Sequence, residues 1–174
     1  MNNKIELQNR YKNELFFSGD EIELALPLKE GGLFQPYFQP EFQWSQTDQR
    51  PPWEEINYWL PLLKEEWELI NDRLTSNFDK NNPAVKQDMV KGFSIFFMML
   101  FWSNGKPVDV NSWKESSLPF KTTCLNLIER LEFALNNADS YFARIQLNEL
   151  VLEIHKKSAK KLALQSVQKK SPKE

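Results

Sequence analysis

The most apolar part of this chain lies near its middle, where residues 93–102 are interrupted by a single polar residue, Ser94. Apolar residues already recur at helical spacing from Val85, so the pattern predicts one helix over residues 83–103. A helix that is apolar on every face is buried, either in a protein core or in a membrane. The apolar run ends after ten residues, whereas a membrane-spanning helix needs about 20. The pattern therefore predicts a buried core helix.

Both ends of this helix carry residues that are typical of helix caps. Asn82 can accept a hydrogen bond from a free amide of the first turn, and Pro83 suits the first helical position. At the other end Gly105 follows Asn104, and a glycine there closes a helix because it adopts a left-handed conformation without a steric clash. Pro107 cannot continue the helix. We therefore expect a positive φ at Gly105.

Apolar stripes on both sides of the central helix predict further helices. Pro61 interrupts the tryptophan-rich stripe, which we interpret as a kink or as two helices. Pro119 opens a later stripe. The predicted fold is an all-α, single-domain compact helical bundle around the buried central helix. The predicted helices cover residues 3–16, 51–60, 62–78, 83–103, 119–136 and 140–154.

Aromatic residues and prolines alternate in one amino-terminal segment, FQPYFQPEFQW (residues 34–44). Pro36 and Pro40 disfavour a regular helix through this segment and favour an extended course. Phenylalanines at this density are costly to expose to water, so we favour an extended strap that packs on the protein's own surface. The alternative is a strap that docks a partner, for which the candidate residues are Phe34, Tyr37, Phe38, Phe42 and Trp44.

Composition is consistent with one folded domain whose chain divides into three parts. The chain has 174 residues, of which 41% are hydrophobic and 13% aromatic, enough to build a sizeable core. We predict an amino-terminal helix and strap over residues 1–50, a helical core over residues 51–155, and a lysine-rich, fraying tail over residues 156–174. The first residues lack the apolar core of a signal peptide, so we expect a cytoplasmic protein without membrane insertion.

The tail and the rest of the chain carry opposite charge. The net charge is −2 and the last twenty residues carry +6, so the remaining 154 residues carry −8. The tail contains no arginine and no aromatic residue, so at best it would clamp phosphates without regard to sequence. We favour the simpler interpretation of a solvated helix end whose cations suit a helix carboxyl terminus. The candidate polyanion contacts are Lys156, Lys157, Lys160, Lys161, Lys169 and Lys170.

Residues that commonly build catalytic or metal sites are scarce. Cys124 and His155 are the only cysteine and histidine, so the chain cannot build a zinc finger or a His-rich metal site. Cys124 falls in a helical pattern, and we interpret it as a buried apolar residue. The glutamates of residues 54–68 have no accompanying histidine, and we interpret them as a solvated helix face. The sequence therefore predicts no catalytic residue, no metal and no cofactor, and it favours a non-catalytic role.

Three parts of the sequence carry a family resemblance. They are the phrase LFWSNGKPV (residues 100–108), the tryptophan-rich stretch before it, and RIQLNELVLEIHKK (residues 144–157). Together they resemble the YpoC-like family of Gram-positive bacteria, over roughly residues 50–160. The resemblance brings no catalytic residues to this sequence. Genes of the family tend to lie near DNA replication and repair genes, which implies an association with DNA metabolism.

Two functional hypotheses follow from these patterns. We favour a non-catalytic helical protein–protein interaction domain, because the chain is rich in aromatic residues and poor in catalytic ones. The alternative is an accessory factor of DNA replication or repair that uses the basic tail for weak, non-specific nucleic-acid contact. The net negative charge of the chain argues against this alternative, since nucleic-acid-binding domains are usually basic.

Overall fold

The computed structural model describes residues 2–25, 32–76 and 78–170 of the chain. Within these ranges a short antiparallel hairpin precedes a bundle of helices, so the protein is mostly helical but not all-α. The hairpin consists of β1 (Asn2–Glu6) and β2 (Glu21–Ala25). The helices are α1 (Gln39–Ser45), α2 (Ile56–Ser76), α3 (Pro83–Ser103), α4 (Trp113–Ser117), α5 (Leu127–Asn136) and α6 (Tyr141–Lys170). Short 3-10 turns cover Asn9–Tyr11 and Pro52–Glu54.

Helix α3 is the buried central helix that the apolar pattern predicted. Phe93, Phe97 and Leu100 are each 0% exposed. The helix packs against α2 and α6, and α5 packs on α6. A Cβ at Gly92 would lie 2.5 Å from a ring carbon of Trp67, so the close packing of α3 on α2 requires glycine here. In the described ranges no helix is both long enough and apolar enough to cross a bilayer.

The predicted caps of α3 are confirmed. The side-chain oxygen of Asn82 accepts a hydrogen bond from the Ala84 amide at 2.9 Å. Gly105 has a φ of +69°, and the amide of Lys106 donates to the carbonyl of Phe101 at 3.1 Å. These contacts close the carboxyl end of the helix in the manner of a Schellman motif. The end of α3 is therefore a fixed point from which the following loop departs.

The predicted helix over residues 3–16 is wrong. Strand β1 pairs antiparallel with β2, with Ile5 opposite Ile22. Along β2 the side chains alternate between exposed and buried, and Ile22 and Leu24 are buried. The segment EIELA alternates polar and apolar residues, which is the pattern of a strand with one buried face. This alternation has a period of two residues and favours β2. The pairing of β2 with β1 outweighs the irregular apolar pattern from which a helix over residues 3–16 was predicted.

The predicted extended strap is instead a turn followed by a helix. Phe34 and Tyr37 form an isolated bridge across the turn. Phe38 adopts a left-handed conformation with a φ of +61°, and α1 begins directly after it. Pro40 lies in the first turn of α1, where the helix needs no hydrogen bond from its nitrogen. The proline that argued against a helix is thus compatible with the start of one.

Two prolines affect the helices less or differently than predicted. Pro61 lies inside α2 without dividing it, because it sits near the start and removes a single hydrogen bond from a helix with a long buried stripe. Pro119 opens no helix, and α5 begins eight residues later.

Asn104 binds both backbone groups of Thr122, donating to its carbonyl at 2.7 Å and accepting from its amide at 3.1 Å. Cys124 therefore lies in a loop, not on a helix, although it is buried as expected.

The predicted fraying tail is helical for most of its length. Helix α6 continues to Lys170, and residues 171–174 lie outside the described part of the chain. Ser158 is buried, and its hydroxyl lies 2.7 Å from that of Ser103 at the end of α3. The beginning of the tail is therefore part of the packed structure.

Candidate functional site

A buried carboxylate connects three distant segments beside the end of α3. Glu41 of α1 is 2% exposed. It accepts hydrogen bonds from the Tyr11 hydroxyl at 2.6 Å, from the Trp102 indole nitrogen at 2.8 Å, and from the Val108 amide at 3.0 Å. All three partners are donors, which matches the acceptor-only character of an ionised carboxylate. Glu41 thus ties the amino-terminal turn and the loop after α3 to the core.

Burial sets the protonation behaviour of this carboxyl group. Loss of solvation raises the pKa of Glu41 to about 7, although the hydrogen bonds from Tyr11, Val108 and Trp102 act in the opposite direction. The pKa of the Tyr11 hydroxyl is also raised, first by burial and then by the neighbouring Glu41 charge. Because Glu41 is enclosed, a substrate could not reach it. Its role in this arrangement is to position the backbone at Val108.

The loop after α3 is held at a second point by Asn104. Its amide nitrogen donates to the Leu100 carbonyl as well as to the Thr122 carbonyl, both at 2.7 Å. Residues 106–108 leave the end of α3 between these two anchors, Asn104 and Glu41. The phrase LFWSNGKPV therefore has a structural explanation, because it supplies the cap of α3, the anchor Asn104 and the two groups that Glu41 holds.

A cleft of about 730 Å³ opens at this corner. Its walls come from the first 3-10 turn, the end of α3, the loop that follows it, the residues after α4, and α6. The rings of Phe101 and Phe120 meet edge to face with centroids 5.0 Å apart. Phe101 is buried, whereas Phe120 is half-buried. The apolar lining residues are Phe101, Pro107, Pro119 and Phe120.

The rim of the cleft is predominantly cationic. It carries four cations and one carboxylate, Asp109. Asp109 accepts hydrogen bonds from the Ser112 amide at 2.8 Å and from the hydroxyl of Ser116, on α4, at 2.6 Å, so both of its oxygens are engaged. Among the described residues, none forms a salt bridge with any of these four cations. The four cations are Arg10, Lys106, Lys121 and Lys161. Within the described part of the chain, Lys161 alone of these makes a side-chain hydrogen bond, to the Ser103 carbonyl at 3.0 Å.

A smaller depression of about 320 Å³ adjoins the cleft along α6 and shares Lys121 and Lys161 with it. Lys157 and Lys160 also line this depression. The ammonium of Lys157 donates to the Thr123 carbonyl at 2.8 Å and lies 3.2 Å from Glu153. Half of the lysines singled out in the sequence thus lie beside the cleft. The other three, Lys156, Lys169 and Lys170, are exposed elsewhere on α6.

The aromatic residues singled out in the strap pack on the protein's own core. Phe38 and Phe42 are buried, whereas the other three candidates are half-buried. The ring of Phe42 lies 4.7 Å from that of Tyr11, and the ring of Trp44 lies 4.8 Å from that of Trp53. The half-buried candidates are Phe34, Tyr37 and Trp44.

The cysteine and the histidine have environments that suit structural roles. Burial, followed by the charge of Glu153, raises the pKa of the Cys124 thiol to about 12, so the reactive thiolate is suppressed. Burial and the charge of Lys64 lower the pKa of His155. Among the described residues, no group of three or more His, Cys, Asp or Glu side chains is placed to hold a metal ion.

Sequence reasoning missed Glu41 and most of the cleft. The signal for Glu41 was present, because it is the only charged residue in FQPYFQPEFQW. A lone carboxylate among aromatic residues that pack inward must itself be buried and hydrogen-bonded. No comparable signal existed for the cleft, because Arg10, Lys106 and Lys121 are distant in sequence and are brought together by long-range contacts, among them those of Glu41, Asn104 and the Arg10 carbonyl.

The fold and the cleft define a small, mostly helical domain with a cationic, partly apolar recess. The chain belongs to the YpoC-like protein family, whose model matches residues 57–166. A relative in Bacillus subtilis (strain 168), "Uncharacterized protein YpoC", is 36% identical over 109 residues, which cover 60% of this chain. The chain spans 65% of the length of that relative. No solved structure matches this chain.

Only part of the candidate site lies within the residues that the family model matches. Trp102, Val108 and Asn104 lie within the matched residues, whereas Glu41 and Arg10 precede them. The conformation of the loop after α3 therefore depends on residues from outside the matched region. Glu41 holds two groups from inside it, and the Arg10 carbonyl accepts from the amides of Val110 and Asn111.

Proposed function

We propose that this chain is a non-catalytic helical interaction domain that binds a partner protein in the cytoplasm through the cleft at the end of α3. The observation that carries the proposal is a set of cations without salt-bridge partners among the described residues, arranged around an apolar recess. Arg10, Lys106 and Lys121 contribute these charges. Charged groups that surround an apolar recess are typical of protein-binding surfaces, where the recess supplies affinity and the rim supplies specificity.

The non-catalytic part of the proposal is supported by the chemistry of the lining residues. The only hydroxyl and carboxylate that meet in the cleft are those of Ser116 and Asp109. Activation of a serine requires a base that accepts its proton and a third group that orients the base. Asp109 is instead held by the Ser112 amide, and no histidine lines the cleft.

The strap is the less favoured surface for partner binding. Phe38 and Phe42 are committed to the core, so docking through them would require that part of the core to open. The cleft requires no such change, and rigid surfaces bind with a smaller entropic cost.

A second candidate function is contact with nucleic acid as an accessory factor of DNA replication or repair. It is favoured by the continuity between the cleft and the depression on α6, which join through Lys121 and Lys161. Binding of this kind would be independent of sequence and would weaken steeply with salt, because each neutralised phosphate releases counterions. The charge of −8 on the residues before the tail disfavours a long polyanion.

Affinity capture with charge-reversal variants tests the proposed function. We expect the full chain to retain one or more proteins from a native lysate and the double variant Lys106→Glu/Lys121→Glu to lose them. The matched control is Lys80→Glu/Lys86→Glu, which reverses two exposed lysines. Lys86 lies on α3, about 26 Å by helical rise from the end of the helix beside which the cleft opens. Retention of every captured protein by the cleft variant would contradict the proposal.

A further inference from the structure

We propose that the segment bound in the cleft is a short acidic peptide that carries one apolar side chain. The proposal rests on the proposed function and specifies the chemistry of the partner. The apolar side chain packs on Phe120 between Pro107 and Pro119, and the flanking carboxylates face Arg10, Lys106 and Lys121.

Charge complementarity requires the acidic character. The rim presents four cations, and the single carboxylate of the cleft, Asp109, already accepts two hydrogen bonds, from Ser112 and from Ser116 of α4. Lysine and arginine side chains on a rim attract carboxylates and repel cationic partners. Lys161 is held toward the end of α3 by its bond to the Ser103 carbonyl, so part of this charge is fixed in place.

The apolar recess requires one apolar side chain. Phe120 is half-buried, with its edge-to-face contact to Phe101 on one side and the cleft on the other. Two prolines flank it, and neither has a backbone N–H to donate to a polar ligand. An apolar side chain placed there would remove the remaining ring surface from water, which is favourable.

The size of the cleft favours a peptide over a nucleic acid. A volume of about 730 Å³ holds a few residues of an extended peptide, since it falls within the usual range for small-ligand pockets. A longer polyanion would extend over a body whose residues before the tail carry −8. The rim also offers one aromatic ring, Phe120, whereas single-stranded nucleic acid is usually held by stacking on several.

Fluorescence anisotropy with the full chain tests this inference. The probe is a labelled peptide of about ten residues, made of aspartate and serine with one central leucine, so that the cleft holds the few residues around the leucine. Three further probes are the same peptide with the leucine replaced by alanine, the same peptide with asparagine in place of aspartate, and a thymidine oligonucleotide of the same length. The proteins are the wild-type chain, Lys106→Glu/Lys121→Glu and the control Lys80→Glu/Lys86→Glu.

We expect the acidic leucine peptide to bind the wild type and the control equally. The cleft variant should bind it about tenfold more weakly or worse, as should the wild type with either altered peptide. Tighter binding of the oligonucleotide than of the peptide would overturn the inference in favour of nucleic acid. Equal affinities of the leucine and alanine peptides for the wild-type chain would overturn the proposal that an apolar side chain binds in the recess. If the cleft variant loses its captured proteins but no acidic peptide binds the wild type, this inference fails while the proposed function stands. If the cleft variant loses none, both fail.

Discussion

Replacement of Glu41 perturbs the structure at the point where the amino-terminal region meets the loop after α3. In Glu41→Ala the Tyr11 hydroxyl, the Trp102 indole nitrogen and the Val108 amide lose their acceptor. The hydroxyl can rotate toward another acceptor, whereas the two nitrogens are donors with fixed directions. A buried donor left without a partner costs about 1–3 kcal/mol, so the two together cost about 2–6 kcal/mol. Glu41→Gln is the matched variant, because its carbonyl oxygen can accept from both nitrogens while its amide donates to the Tyr11 hydroxyl.

The pH dependence separates the charge of Glu41 from its hydrogen bonds. Its pKa is about 7 in the folded protein, against an ordinary value of 4.5. The folded protein therefore binds this proton more tightly than the unfolded chain does. The free energy of unfolding declines as the pH rises from 4.5 to 7, and above 7 this group has no further effect. The decline amounts to about 3 kcal/mol.

The two variants should therefore respond differently to pH. Glu41→Gln is expected to be close to the wild type at pH 5 and more stable than the wild type at pH 8, because its amide carries no charge to bury. Relative to the wild type, the destabilisation of Glu41→Ala is expected to be about 3 kcal/mol smaller at pH 8 than at pH 5. At pH 8 the substitution also removes an ionised group whose burial is unfavourable.

Urea unfolding, followed by tryptophan fluorescence and circular dichroism, measures these differences. Parallel curves of stability against pH for the wild type and Glu41→Gln would refute the reasoning, because Glu41 would then titrate outside this range. A Glu41→Ala variant as stable as the wild type at pH 5 would show that the donors of Trp102 and Val108 find other acceptors.

Three further predictions concern the stability of the fold. Phe97→Ala should lower the free energy of unfolding in urea by about 3–5 kcal/mol, because Phe97 is 0% exposed. Phe142→Ala, at an exposed position, should change it by less than about 0.5 kcal/mol, and equal effects of the two substitutions would show that α3 is peripheral. Gly105→Ala should cost about 1 kcal/mol because of its positive φ, and Gly105→Asn should cost less; an unchanged midpoint for the alanine variant would contradict the left-handed cap. Removal of residues 168–174 should leave the thermal midpoint unchanged. Removal of residues 156–174 should lower the free energy of unfolding by roughly 2–4 kcal/mol, because it deletes the contacts of Ser158, Lys161 and Leu162. Equal midpoints for the two truncations would show that the start of the tail adds no stability.

Local signals in the sequence were sufficient for α3 and insufficient for the amino-terminal region. The caps at Asn82 and Gly105 and the apolar run between them act within one helix, so no distant contact was needed to predict it. The hairpin and α1 depend on contacts across the chain. Pro40 was read as a helix breaker, yet at the first turn it is compatible with a helix.

The candidate site could be predicted only in part for a similar reason. The lysines of the tail form a charge cluster in the sequence, and Lys157, Lys160 and Lys161 line the depression along α6. Arg10 and Lys121 gave no signal, because their position depends on long-range contacts. The amides of Val110 and Asn111 donate to the Arg10 carbonyl, and Asn104 holds the segment that leads to Lys121.

The measurement that tests the central claim most directly is an amide NMR titration of the full chain with the acidic leucine peptide. The account predicts that shift changes concentrate on the amides of Lys106, Phe120 and Lys121, and that they are absent in Lys106→Glu/Lys121→Glu. Changes confined to the strap around Phe34, Tyr37 and Trp44, or to the exposed end of α6, would contradict the assignment of the cleft as the binding surface.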